Sequence, residues 1–87
     1  MNKHIELIKK WLVDPESVSL EELADNKTAA WAAAWAAYRG GVKANKAAYW
    51  AVRAAKAAED ATYWDAKAIY WRNLAIKYIE KYEELTK

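Results

Sequence analysis

Apolar residues recur at helical spacing along this chain and are interrupted by strong helix breakers at only two places, Asp14-Pro15 and Gly40-Gly41. Ile5, Ile8, Trp11 and Leu12 fall on one helical face and predict a first helix over residues 2–13, which Asp14-Pro15 ends. Ser19 followed by Glu22 is a capping box, and Val18 before the cap with Leu23 after it is a hydrophobic staple, so a second helix is predicted over 19–38. Leu20, Leu23, Trp31, Trp35 and Tyr38 lie along one side of it, and Ala29, Ala33, Ala36 and Ala37 form a smooth strip on the other. Gly40-Gly41 closes it, because glycine takes the left-handed conformation that terminates helices.

No Gly or Pro occurs from Val42 to Leu85. One unbroken helix there would be roughly 65 Å long at about 1.5 Å per residue, whereas a compact chain of this size has a radius of gyration near 12 Å by the usual scaling, about 2.2 Å times length to the power 0.38. Either the helix breaks or the protein oligomerises. The preferred reading is a break at Glu59-Asp60-Ala61-Thr62, where Asp60 or Thr62 could cap a new helix, giving helices over 42–59 and 61–85. The pattern therefore predicts an all-α fold in a single domain, 1–87: a small bundle of three to four helices with close-packed Ala-rich faces and a Trp/Tyr seam.

That seam is a repeat of seven residues. Tyr49-Trp50, Tyr63-Trp64 and Tyr70-Trp71 each open a similar run of small apolar and basic residues, so Trp50, Trp64 and Trp71, continued by Tyr78, are 14, 7 and 7 residues apart. Heptad spacing keeps them on one helical side, with Ala57, Ala61, Ala68 and Ala75 as recesses between them. Ala44, Ala47, Ala48, Ala51, Ala55 and Ala58 form a smooth strip opposite, whose expected partner is the smooth strip of the second helix.

Composition sharpens this picture. The 87 residues include twenty Ala, six Trp and six Tyr but no Phe or Cys. Ala loses no side-chain rotamer freedom in a helix, and in an Ala-rich chain the indoles are the obvious source of buried apolar area. Trp31, Trp35, Trp50, Trp64 and Trp71 are therefore expected to fill the core; the alternative is an exposed stacking surface, for which Tyr49, Tyr63 and Tyr70 are the better candidates. A chain this short buries only about 60% of its unfolded surface, so a homo-oligomer is expected. The absence of Cys points to the cytoplasm, no uncharged run reaches the roughly 20 residues needed to cross a bilayer, and the charged N-terminus lacks a secretory core.

Charge is distributed unevenly. Residues 1–25, 26–58 and 59–87 carry balances of −3, +6 and −1, so the middle third is a basic island without a single acid. Within it Lys43, Lys46, Tyr49, Trp50, Arg53 and Lys56 share one side of the third helix. Cations interleaved with flat rings suit an anion joined to a stacking base, although the same residues could simply keep an Ala-rich helix hydrated. The charge is too modest for duplex nucleic acid; a small anionic ligand or an acidic protein patch fits better. His4 is the only histidine, and without Cys there is no metal or nucleophile constellation, so neither an enzyme nor a cofactor is expected.

The run from Trp11 to Leu23, WLVDPESVSLEEL, followed by Thr28 to Arg39, TAAWAAAWAAYR, resembles a loose group of alanine- and aromatic-rich helical proteins of phages and bacteria, some labelled immunity proteins. The resemblance implies a helical fold and a setting in the conflict between phage and host, within the host cytoplasm; it implies no particular site residue. Together these readings lead to an expected non-enzymatic counter-defence protein. One form is an oligomeric sponge holding an anionic nucleotide signal through Lys43, Lys46, Arg53 and Lys56, with Tyr49 or Trp50 stacking on the base. Another is an inhibitor of a host defence protein, and a third is a purely structural self-assembly module.

Overall fold

The computed structural model describes residues 2–86, apart from the side chains of residues 40, 42–45 and 65, and among these the chain forms four α-helices and no strand. Helix α1 (Lys3–Val13) starts at Asn2, whose side-chain oxygen accepts from the backbone N–H groups of His4 at 2.8 Å and Ile5 at 3.2 Å. It stops at Asp14, held extended before Pro15 as that ring requires. A 3₁₀ turn, Pro15–Ser17, leads to helix α2 (Leu20–Ala37). The capping box is formed: the Ser19 hydroxyl accepts from the Glu22 N–H at 3.0 Å, and the Ser19 N–H donates to the Glu22 carboxylate at 3.2 Å. After a second 3₁₀ turn, Tyr38–Gly40, the chain reverses through Gly41 at φ +103°, a conformation that disfavours any side chain.

Helix α3 (Val42–Tyr63) and helix α4 (Ala68–Leu85) resolve the long third segment into two, but the break lies later than 59–62. Neither candidate cap is available: Asp60 pairs with Lys56 at 3.1 Å, and the Thr62 hydroxyl donates back to the Ala58 carbonyl at 3.2 Å inside the helix. The helix runs on to Tyr63, which keeps Ala61 buried, and turns at Trp64 through the 3₁₀ segment Asp65–Lys67. The heptad series is thereby folded over. Trp64 stands at the corner, while Trp50 of α3 meets Tyr78 of α4 across the hairpin at a centroid distance of 5.6 Å.

Helix α3 is the axle of the molecule: α2 and α4 flank it on opposite sides with their backbones apart, and α1 lies against all three. The Lys27–Glu59 ion pair at 3.0 Å ties α2 to α3 at the end away from their connection, and Lys9–Glu83 at 2.7 Å ties α1 to α4. Arg72 of α4 donates to the Leu12 carbonyl at the end of α1, one of the acceptors a helix C-terminus leaves free. The result measures 37 × 22 × 20 Å with a radius of gyration of 12.2 Å. None of the described helices is long and apolar enough to cross a membrane.

The core is Ile5, Ile8 and Trp11 of α1, Leu23 and Ala30 of α2, Ala75 and Ile79 of α4, and the alanines of α3 between them. Ala54, Ala55 and Ala58 are wholly buried. This corrects the expectation that the indoles fill the interior, since Trp11 alone is buried while Trp31, Trp35 and Trp64 are 51%, 71% and 56% exposed and Trp50 and Trp71 are half-buried. The alanines of α3 take the interior positions instead, and of the indoles only that of Trp11, carried by α1, packs among them. The expected pairing of smooth strips fails as well. Ala47, Ala51, Ala55 and Ala58 are buried, but Ala29, Ala33 and Ala36 face solvent, because α2 turns Leu23, Asn26, Ala30 and Ala34 inward. Asn26 sets that rotation through its bonds to His4 on α1.

Candidate ligand-binding cleft

Two flanking helices held apart by a third leave a groove on each side of it. On one side of α3, where Ala51 and Ala58 lie, the groove is filled by α1. On the reverse side, about half a turn round at 100° per residue, it is open: a cleft of about 600 Å³. Its α2 wall is Trp31, Ala34, Trp35 and Tyr38, its floor is Tyr49, Val52, Arg53, Lys56 and Ala57 of α3, and its α4 wall is Trp71 and Tyr78. Among the described residues no acidic side chain lines it. The size falls within the range of small-molecule sites, which are mostly apolar with a few placed polar groups.

Arg53 is the central polar group. Its guanidinium donates to the hydroxyl of Tyr49 on its own helix and to that of Tyr78 on α4, the latter at 3.0 Å. It also lies over three rings, 4.9 Å from the Tyr78 centroid, 5.4 Å from Tyr49 and 5.7 Å from Trp50, the spacing of cation–π contact. The hydrogen bonds to Tyr49 and Tyr78 push its pKa up from an already strongly basic value, so the charge is permanent. Both hydrogen-bond partners are phenol hydroxyls, and among the described residues Arg53 forms no ion pair. A fixed, oriented guanidinium with donors to spare can take a carboxylate or phosphate in its fork. Lys56, one turn along, is bound to Asp60, but its side chain is largely exposed.

The residues singled out from the sequence divide accordingly. Tyr49, Arg53 and Lys56 are brought together in the cleft. Trp50 is not in it; its ring supports Arg53 from behind and packs on Tyr78. Lys46 faces a separate shallow groove with Lys81 and Glu84, and the side chain of Lys43 lies outside the described residues. The residues missed are the walls: Trp31, Trp35 and Tyr38 at i, i+4 and i+7, and Trp71 with Tyr78. One signal was present, since Trp31, Trp35 and Tyr38 fall inside the acid-free stretch of 26–58.

His4 is not part of this arrangement. It is buried between α1 and α2, its Nδ1 3.1 Å from the Asn26 side-chain oxygen, while the Asn26 amide donates to the His4 carbonyl at 3.1 Å. Among the described residues no three His, Cys, Asp or Glu side chains gather as metal ligands would. Comparison with protein-family models, with curated proteins and with solved structures finds no match.

Proposed function

We propose that this chain is a non-enzymatic binding protein that sequesters an anionic nucleotide in the cleft between α2 and α4. Arg53 takes the phosphate, and the indoles of Trp31, Trp35 and Trp71 offer the stacking surface. The observation that carries the reading is the Arg53 guanidinium, held in place by two hydroxyls, unpaired with any described carboxylate, at the floor of an aromatic trough. Base stacking passes from Tyr49 and Trp50, whose rings are already engaged by Arg53, to the indoles of the walls, of which Trp31 and Trp35 are the more exposed. Among the described residues nothing lining the cleft is a nucleophile of the Ser, Cys or carboxylate kind, which favours holding a ligand over transforming it. In the setting implied by the resemblance to phage and bacterial proteins, the chain would withdraw a host nucleotide signal, a counter-defence role.

A charge-assisted phosphate contact contributes about 1.5–3 kcal/mol and one stacked base about 1–3 kcal/mol. Together these come to about 2.5–6 kcal/mol, so the open cleft of one chain is expected to bind with a Kd from about ten millimolar to tens of micromolar, on the scale where about 4 kcal/mol corresponds to 1 mM. The test is tryptophan emission during titration with cyclic and linear nucleotides, Trp11 supplying an unresponsive background. Quenching is expected for the wild type and at least tenfold weaker binding for Arg53→Glu. Emission indifferent to every nucleotide would sink the proposal and promote the role of a protein inhibitor acting through the same basic aromatic face.

A further inference from the structure

Of the two cations described on the floor of the cleft, Arg53 and Lys56, one is already matched. Lys56 pairs with Asp60 on its own helix at 3.1 Å, whereas Arg53 donates only to the Tyr49 and Tyr78 hydroxyls among the described residues. Around them the floor is Val52 and Ala57 and the walls are rings. The cleft thus presents a single uncompensated positive charge in an apolar trough. Resting on the nucleotide reading above, we infer that it selects a nucleotide whose phosphate is a diester, with one negative charge, over one ending in a phosphate monoester or a polyphosphate.

An ion taken from water to a place among apolar groups costs free energy unless an opposite charge meets it. The one charge of a diester is cancelled by Arg53. A monoester carries about −1.5 to −2 at neutral pH, so its second charge must draw Lys56 away from Asp60 or stay unmatched among the rings. A polyphosphate carries more still. Such groups are commonly held through Mg²⁺ bound to one or two carboxylates, but among the described residues no carboxylate lines the cleft. Shape agrees with charge. The fork of a guanidinium takes two oxygens side by side, and a diester has two non-bridging oxygens to offer. Its other two oxygens carry carbon in place of charge, which suits a trough walled by Trp31, Trp35 and Trp71. A cyclic mononucleotide and a linear dinucleoside phosphate both supply this group.

Probes that share adenine and differ only in the anion separate charge from stacking. The indole N–H signals in the NMR spectrum of the full chain read binding, with buried Trp11 as the reference, during titration with adenosine, AMP, Mg-ATP, cyclic AMP and the dinucleoside phosphate ApA. At about pH 7.5 one or both diesters are expected to bind about fivefold or more tightly than AMP and Mg-ATP, the effect of one unmatched charge among apolar groups. The tighter of the two tells whether the cyclic or the linear form is the better ligand. A second arm uses the acidity of AMP itself. With a second pKa near 6, its singly charged share rises from about 3% at about pH 7.5 to about 75% at about pH 5.5. AMP is then expected to gain about fivefold or more relative to the diesters, whose charge is constant over that interval and which report any change in the protein. AMP or Mg-ATP bound as tightly as both diesters at the higher pH overturns the inference and leaves the nucleotide reading standing. AMP that gains nothing on the diesters as the pH falls also overturns it, because the preference then follows the shape of the ligand and not its charge. Wall indoles that respond to no probe, or adenosine bound as tightly as the diesters, overturn the underlying nucleotide reading instead.

Discussion

His4 and Asn26 show how one pair of side chains can fix the relation of two helices. The His4 carbonyl can only accept, so the Asn26 NH₂ must point at it and the Asn26 oxygen must point at the ring. Nδ1 therefore carries the proton, and the two residues bind each other reciprocally in a place where both are nearly inaccessible to water. A buried polar group deprived of its partner costs about 1–3 kcal/mol, whereas replacing both partners by apolar groups costs much less. Asn26→Leu is accordingly expected to lower the stability measured by urea denaturation by about 1–3 kcal/mol, and His4→Leu combined with Asn26→Leu to recover a good part of that loss. A double variant as unstable as the sum of its parts would show that the pair acts through something other than mutual satisfaction. The position of this histidine was legible only in part. Composition shows only that it has no second histidine and no cysteine to work with, and its burial depends on Asn26, twenty-two residues away, which no local spacing reveals.

At the scale of elements, helix starts were legible where they rest on local chemistry. Ser19 and Glu22 meet because a capping box needs only four consecutive residues. Ser19→Ala removes the hydroxyl acceptor for the Glu22 N–H and is expected to cost about 1 kcal/mol, read as a lower denaturation midpoint with an unchanged slope. The same logic explains why the boundary between α3 and α4 was misplaced. Helix α4 begins after Lys67, which makes no side-chain capping bond, so no residue type marks the turn. It is set instead by α4 folding back to bury Ala75 and Ile79 against α3, a tertiary effect. Meanwhile Asp60 and Thr62, which look like caps, are used within α3. The walls of the cleft escaped notice for a related reason. Periodicity places Trp31, Trp35 and Tyr38 on one side of α2, but which side faces inward is decided by Leu23 and Asn26.

For the molecule as a whole, the interior face of the central helix is alanine, packed with Ile5, Ile8, Trp11, Leu23 and Ile79 of its neighbours, while six Trp and Tyr rings line the open groove opposite α1. Stability and site thus depend on the same helix. A domain of this length has a total stability of roughly 4–13 kcal/mol, at about 0.05–0.15 kcal/mol per residue, so one misfit in the contact between α1 and α3 is a large fraction of it. Ala58, wholly buried on the α1 side of α3, is the sharpest probe. Ala58→Leu adds three carbons where no space exists and is expected to destabilise by about 1–3 kcal/mol through overpacking. Ala33→Leu makes the same chemical change on the exposed strip of α2 and is expected to stay within about 0.5 kcal/mol of the wild type. Urea denaturation of the two variants separates the arrangement seen here from the one in which the smooth strips of α2 and α3 pack together, because that pairing would make Ala33→Leu as damaging as Ala58→Leu.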